Sequence, residues 1–420
     1  MIVNSNSFIS YYIPKANMSF THKTLFYSRA IQRNTNVNVS YLNEQNLIIT
    51  TNALIMKSDQ TIIYEYWGYN IYSITIPNTV RTIKSSAFEN STASICFEQN
   101  SQLSLIENNA FRNCLNLNKL DFSSNNHLQT IEFSSFKDCS NLDEIIFSSP
   151  DLYINNNAFE NCINLEKVIN ILNIPNQCFS GCSKLTQVTI QENARTIGVR
   201  SFENCNSLTS IIIPSTVNII SEYSFVNCNN LKSITFSQEN SLSMIFVNSF
   251  SGCDSLQNIS NFESNKYKCI DNTLYFKNDK NLDLIYHLSQ SLDKVLIVNC
   301  TIICRYSFNH SNNIVNISLS PNSVSLIESY SFNSCLNLKY VNFPLSVENV
   351  SFLAFNECKS IQCPLYIENK TTEYLKMIVE SDISPYLIIK CRVVHGSNKL
   401  QCLRTLCNKS AKLFFQHLSK

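Results

Sequence analysis

The chain has 420 residues, a formal net charge of +1 and only 15% charged residues, against 44% hydrophobic. A charge so sparse and balanced excludes a global field for nucleic acid or an anionic membrane. Five glycines in all argue against phosphate-cradling loops and dinucleotide fingerprints, and the length predicts several domains or an elongated repeat.

Residues 1–45 read as an N-terminal segment or cap. They contain no basic region followed by a long apolar run, so no secretory signal is expected. No stretch approaches the roughly 18 apolar residues of a membrane span. From Asn52 the chain reads NALIMKSDQTIIYEY. Two apolar arms flank the polar turn KSDQ, which predicts a β-hairpin near residues 50–66.

A repeat follows. Phe88, Phe111, Phe136, Phe159, Phe179, Phe202, Phe225, Phe250, Phe308, Phe332 and Phe355 recur at steps of 20 to 25 residues, apart from one gap of 58. That period belongs to leucine-rich-repeat solenoids. Five residues before each Phe stands Ile or Val, and just before it Ala, Ser or, once, Cys178. Three residues after it stands Cys in nine of eleven copies, with Ser91 and Ser311 as the exceptions. Six residues after it stands Leu in eight copies. The L-x-x-I-x-[IF] half predicts a short strand with one face inward. The I-x-x-x-[AS]-F-x-x-C-x-x-L half has apolar spacings of three and four, which predict a helical or 3₁₀ turn. One such coil buries its apolar face only when stacked between others.

The gap holds a second hairpin near residues 270–287. NTLYFKNDKNLDLIY matches the first in Asn52/Asn272, Leu54/Leu274, Lys57/Lys277 and Asp59/Asp279, and both Asp residues precede the next repeat Phe by 29 residues. The constant offset favours a hairpin that extends the solenoid sheet and starts a run of repeats, over a protruding recognition element. The solenoid is expected over residues 46–366. Beyond it, 367–420 reads as a helical, basic C-terminal segment. From Ser384 onward it has seven Lys or Arg and no Asp or Glu. A cap over the last coil is favoured there over membrane association through residues 398–418.

SITIPNTVRTIKSSAF at Ser73–Phe88 and SIIIPSTVNIISEYSF at Ser210–Phe225 resemble the BspA-like leucine-rich repeats, whose pattern is I-x-x-x-A-F-x-x-C-x-x-L-x-x-I-x-I-P. The resemblance implies an α/β repeat solenoid with short parallel strands, two β-hairpin inserts and a helical C-terminal cap. It also implies surface-antigen-like adhesion to host or matrix proteins, because known family members are cell-surface antigens.

Chemistry finds little support in the motifs. Cysteines in one column of a solenoid stack at about the 4.8 Å strand spacing. Their odd number and their replacement by Ser fit a buried core thiol better than disulfides. The expectation is that nearly all 18 cysteines titrate without reductant, which favours a reducing compartment. The pairs Cys178/Cys182 and Cys300/Cys304 are C-x₃-C, Cys358/Cys363 and Cys402/Cys407 are C-x₄-C, no C-x-x-C occurs and the six histidines are scattered, so the zinc signal is weak, the more so as Cys182 and Cys358 already belong to the repeat column. No metal, cofactor or catalytic constellation is assigned, and the chain is read as a non-enzyme. A protein partner is expected, and no nucleic acid. The candidate protein-binding face is the outward row of the long strands: Lys119, Asp121, Glu144, Ile146, Thr189, Gln191, Ile212, Thr235, Ser318, Tyr340 and Asn342. In that row Ile146 and Ile212 are expected to add exposed apolar area. The alternative to adhesion is an intracellular scaffold, favoured by free thiols and the missing signal. An unrecognised enzyme site would have to sit around the Lys266–Cys304 insertion.

Overall fold

The structure is a computed structural model describing residues 2–3, 9–12, 37–41, 44–50, 52–66, 72–147, 151–278 and 281–390, as backbone only up to residue 49. It comprises two compact units, Met1–Leu231 with Met244–Cys253, and Lys232–Ser243 with Asp254–Lys420. Both are stacks of one kind of coil with two parallel sheets.

The long strands form where the Leu-x-x-Ile-x-Ile segment alternates. In the first unit Lys119–Asp121, Glu144–Ile146, Lys167–Ile171 and Gln187–Ile190 pair in parallel, with one register shift between Val168 and Ile171. Leu120, Ile145 and Val168 point inward and are fully buried. The Ile five residues before each Phe builds a second sheet of two-residue strands, among them Thr82–Ile83, Leu105–Ile106, Thr130–Ile131 and Tyr153–Ile154. Burial of the apolar rows between the two sheets drives the stacking.

The segment around each Phe is not helical. It is a double turn, and the backbone shows why. The residue two after the Phe is left-handed in all eleven copies, from Asn90 (φ 63°) to Glu357 (φ 61°), and includes Gly181 and Gly252. The residue two before it is left-handed in ten, from Ser86 to Leu353. A helix cannot continue through such residues. Asn and Gly at that position suit turns that require positive φ. Only Val247–Phe250 forms a 3₁₀ turn among the described residues. The turns free alternate N–H groups to bond the next coil, as in Ser86 N to Asn108 O (3.0 Å), Phe88 N to Ala110 O (2.7 Å) and Asn90 N to Arg112 O (2.9 Å). The helical spacing in the sequence therefore reflects one inward face of a turn.

The phenyl rings stack. In the first unit neighbouring centroids from Tyr66–Phe88 to Phe225–Phe250 lie 5.0 to 5.9 Å apart. In the second unit Phe308, Phe332 and Phe355 stack at 4.7 Å, and His287 opens the column 5.2 Å from Phe308. The abundant asparagines tie coils together. Asn113 Nδ2 donates to Asn90 Oδ1 (2.7 Å), Asn356 to Asn333 (2.7 Å) and Asn141 to the Leu115 carbonyl (2.7 Å). Neutral amides thus stand where charge would otherwise be expected.

Both hairpins are present, as Leu54–Lys57 with Ile62–Tyr66 and Thr273–Asn278 with Asn281–His287. Each joins the short-strand sheet of its unit in parallel, Ile63 beside Ile83 and Leu284 beside Ile303. They do not join the long-strand sheet. At the first tip Asp59 Oδ1 accepts from Thr61 Oγ1 (2.6 Å) and N (3.0 Å). The Thr61 hydroxyl, then Lys57, hold the Asp59 carboxyl down at about 2. Before the first hairpin, strands Ile2–Val3, Ile9–Tyr12, Val37–Tyr41 and Glu44–Ile49 continue its sheet.

The far end of the second unit is covered by the helix Thr372–Glu380, which begins where Thr371 accepts from Tyr374 N. Tyr374, Leu375 and Ile378 are buried against the core. The turn ladder runs straight into this helix, with Leu353 N to Glu380 O (3.0 Å) and Phe355 N to Ser381 O (2.9 Å). A short helix, Pro385–Lys390, follows. The basic segment 398–418 lies outside the described residues.

Candidate protein-binding face

The cysteine column is structural. All nine repeat cysteines are free and buried. Each thiol sits 2.8 to 3.2 Å from the carbonyl oxygen of the Phe one coil earlier, from Cys114 on Phe88 to Cys358 on Phe332. The S–H is a weak donor, and here it meets an acceptor that the turn leaves inside. The two serines share a place in the fold. Ser91 and Ser311 lie in the first coil after each hairpin, where Tyr66 or His287 replaces the preceding Phe.

Burial pushes the thiols of Cys162, Cys205 and Cys228 well above their ordinary range. It also raises Cys269, Cys300 and Cys304 to about 12. The thiolate is the reactive species, so the column is chemically silent. Cys363 departs from the expectation of free thiols, being disulfide-bonded. The remaining fourteen described cysteines are free. Thiol titration in denaturant without reductant is therefore expected to yield at least fourteen. On the native protein, peptide mapping after brief alkylation should find exposed Cys96 modified first and the nine column positions protected. Modification of the column at the Cys96 rate would contradict its burial.

Among the described residues no group of three or more His, Cys, Asp or Glu is arranged to hold a metal, and no helix is long and apolar enough to cross a membrane. The insertion in the second unit borders a cavity of about 820 Å³ whose lining includes Phe236, Glu239, Phe262, Glu263, Lys268 and Lys277. Glu263 pairs with Lys277 (2.9 Å) and Lys268 (3.3 Å), and those two cations hold its carboxyl below the usual range. Ser264 Oγ, the hydroxyl in this lining, donates to the Leu242 carbonyl (2.7 Å). Glu263, Lys268 and Lys277 are spent on one another, and the hydroxyl is bound to a backbone carbonyl.

The eleven predicted face residues divide between the units. In the first, Lys119, Asp121, Thr189 and Ile212 are exposed and Glu144, Ile146 and Gln191 half-buried. Lys119 pairs with Glu144 across the strands (2.9 Å) and with Asp121 (3.6 Å). Ile212 is 67% exposed, whereas Ile146 adds less apolar area than expected. Gln191 lies one residue past its strand and donates to the Asn170 carbonyl (2.6 Å). In the second unit Thr235 is exposed on the strand Ser233–Phe236.

Ser318, Tyr340 and Asn342 come together on one sheet of the second unit, built from Val295–Val298, Asn316–Leu319, Tyr340–Phe343 and Tyr366–Ile367. All three line an open cavity of about 590 Å³, with Asn316 and Tyr366. Register places Val295, Asn316 and Tyr340 in one outward row. Ile297 and Ser318 stand in the other, with Asn342 beside Tyr366. None of these seven is charged, while exposed Lys294, Lys339 and Glu368 stand at the strand ends. Val295, Ile297 and Tyr366 are 61%, 70% and 65% exposed. Asn342 binds back to Leu319, accepting from its N (2.7 Å) and donating to its O (3.0 Å). Tyr340 accepts at its hydroxyl from Gln362 (2.7 Å). Two tyrosines are thus held around a polar floor, with apolar side chains on the first strand.

Val295, Ile297 and Tyr366 are absent from the sequence-derived face. VLIV is apolar on both faces, so alternation did not show which side chains point out.

The model of the BspA type leucine rich repeat region matches residues 61–172, 169–283 and 276–378. The chain belongs to the BspA-type leucine-rich-repeat family. No curated protein matches it. Among solved structures it is similar to a leucine rich cell surface protein from Faecalibacterium prausnitzii, at 21% identity over 81% of this chain and 99% of that one, with a TM-score of 0.49. It is also similar to a leucine-rich repeat protein from Bacteroides ovatus, at 17% identity over 78% and 90%, with a TM-score of 0.42. This BspA-type chain keeps the family's coil but distributes its outward side chains unevenly, paired charges on the first unit and an uncharged aromatic set on the second.

Proposed function

We propose that this BspA-type protein is a non-enzymatic adhesion protein that binds another protein through the outward face of the Val295–Ile367 sheet. The observation that carries the reading is the uncharged, Tyr- and Ile-bearing centre ringed by Lys294, Lys339 and Glu368. Depletion of charge at the core, aromatic enrichment and a polar rim are the compositional marks of a protein interface. Tyrosine with Ser and Asn supplies contact area at low entropic cost. The Lys119–Glu144–Asp121 row of the first unit is already satisfied internally and would lose those pairs on desolvation.

A photo-crosslinking side chain at position 297 or 318 is expected to capture a discrete polypeptide from the protein's native surroundings. The same group at position 189 should capture none. Equal capture at both, or none at 297 and 318, would overturn the assignment of the face. Adhesion further predicts biotinylation of the protein on intact cells. Labelling only after lysis would support the scaffold reading, which rests on the free thiols.

A further inference from the structure

On the outward face of the Val295–Ile367 sheet the hydroxyls are free to donate, while two of the acceptors are already engaged. Gln362 Nε2 donates to the Tyr340 hydroxyl (2.7 Å), which leaves the Tyr340 proton to point elsewhere. The hydroxyls of Ser318 and exposed Tyr366 make no hydrogen bond among the described residues, so they can donate too. Asn342 Oδ1 accepts from Leu319 N (2.7 Å), and Glu368 Oε2 at the strand end accepts from Leu345 N (2.9 Å). Asn316 keeps an amide free for either role. A ligand rich in carbonyls and poor in N–H groups fits this balance. Proline has that backbone, one acceptor and no donor. An ordinary extended segment would bring one N–H per residue to a face short of acceptors, and burying such a group unpaired is costly. A sugar would bring hydroxyl protons to the same shortage.

The two rings have a matching spacing. Tyr366 stands opposite Asn342, which is two residues beyond Tyr340 on the neighbouring strand. On that diagonal the two side chains spring from points roughly 8 Å apart. A polyproline II helix has three residues per turn and advances about 9 Å per turn. Residues i and i+3 on one side of it therefore meet the two rings. Both rings line the open cavity of about 590 Å³, and the uncharged centre suits an uncharged segment.

We infer that the segment recognised here is a proline-rich stretch in the polyproline II conformation, which rests on this face being the protein-binding one. Tyr340 and Tyr366 pack against successive turns of it, and their hydroxyls, with that of Ser318, donate to its carbonyls. Such a helix arrives preformed and loses little entropy on docking. It comes from another protein. The nearest prolines of this chain, Pro344 and Pro364, are 20 residues apart, so a second copy cannot supply it.

Anisotropy of a fluorescein-labelled peptide of about ten prolines, titrated with the full chain, tests it. The expected result is saturable binding with a dissociation constant on the order of 100 µM, competed by the unlabelled peptide. A Gly-Ser peptide of equal length should not bind. Y340F/Y366F keeps both rings and removes both hydroxyls. It should weaken binding at least about tenfold without changing the circular dichroism. No saturation by about 1 mM, equal binding of the Gly-Ser peptide, or indifference to Y340F/Y366F overturns the inference. If positions 297 and 318 still capture a polypeptide in that event, the face stands and only the proline assignment falls. Crosslinks from position 318 should map to a proline-rich stretch of the captured polypeptide. Crosslinks to a proline-poor stretch overturn the inference, and so does capture lost once glycans are stripped enzymatically, which would assign the face to a sugar.

Discussion

Replacing Phe136 by Ala is expected to lower the unfolding free energy of the first unit by about 4 kcal/mol, within the usual range for a buried aromatic. Phe136 is fully buried and stacks on Phe111 at 5.0 Å and Phe159 at 5.3 Å. The site cannot collapse to fill the space. The coils on both sides are pinned by Phe136 N to Ala158 O (2.8 Å) and Phe111 N to Ser135 O (2.8 Å). Cys162 would also keep its bond to the Phe136 carbonyl (3.2 Å), which holds the backbone in place around the cavity. Loss of two ring stacks adds about 1 kcal/mol or more to the burial term. Leu115→Ala, on a side chain 42% exposed, should change stability by no more than about 0.5 kcal/mol. Urea unfolding followed by circular dichroism measures both. Equal effects would mean that the Phe column is not the core.

The second large effect concerns acid. His287 is fully buried at the start of the second Phe column, and burial lowers its pKa to about 4, against a small opposing pull from Asp293. Its ring Nδ1 meets Thr273 Oγ1 at 2.8 Å, while Nε2 has no partner. The fold therefore holds the neutral ring. Below its ordinary pKa of 6.5 the unfolded chain binds a proton that the folded chain refuses. The cost grows as pH falls from about 6.5 to about 4 and then levels, reaching on the order of 3 kcal/mol. His287→Phe restores the ring that the column uses elsewhere, and Thr273 keeps Asp271 O at 3.3 Å as an acceptor. Between pH 7 and pH 4 the wild-type second unit should lose about 3 kcal/mol more than the variant. Parallel losses in the two proteins would show that another group sets the acid sensitivity.

The period, the two hairpins and the inward rows were legible because each is a local spacing repeated many times. What the spacing could not show lies between coils. Cys114 looks chemical alone and core-like in its column. Its actual partner is the Phe88 carbonyl, 26 residues earlier, at 3.1 Å. The spacing of Ile, Phe, Cys and Leu predicts a helical or 3₁₀ turn, which only Val247–Phe250 forms among the described residues. The decisive residues were Asn90, Asn113 and their equivalents, whose positive φ breaks the helix. On the candidate face, Lys119 and Glu144 satisfy one another. Asn342 is committed to Leu319. Val295 and Ile297 escaped notice because an edge strand with apolar side chains on both faces carries no alternation to read.

The most direct test of the recognition proposal is calorimetric titration of the captured partner against two double variants. Tyr340→Ala with Tyr366→Ala removes both aromatic walls and should weaken binding at least about thirtyfold, as loss of interface hot spots does. Lys119→Ala with Glu144→Ala removes an internally satisfied pair (2.9 Å) on the first unit and should leave the affinity within about twofold. The opposite pattern, with affinity lost from the charged row and kept without the tyrosines, would contradict the account.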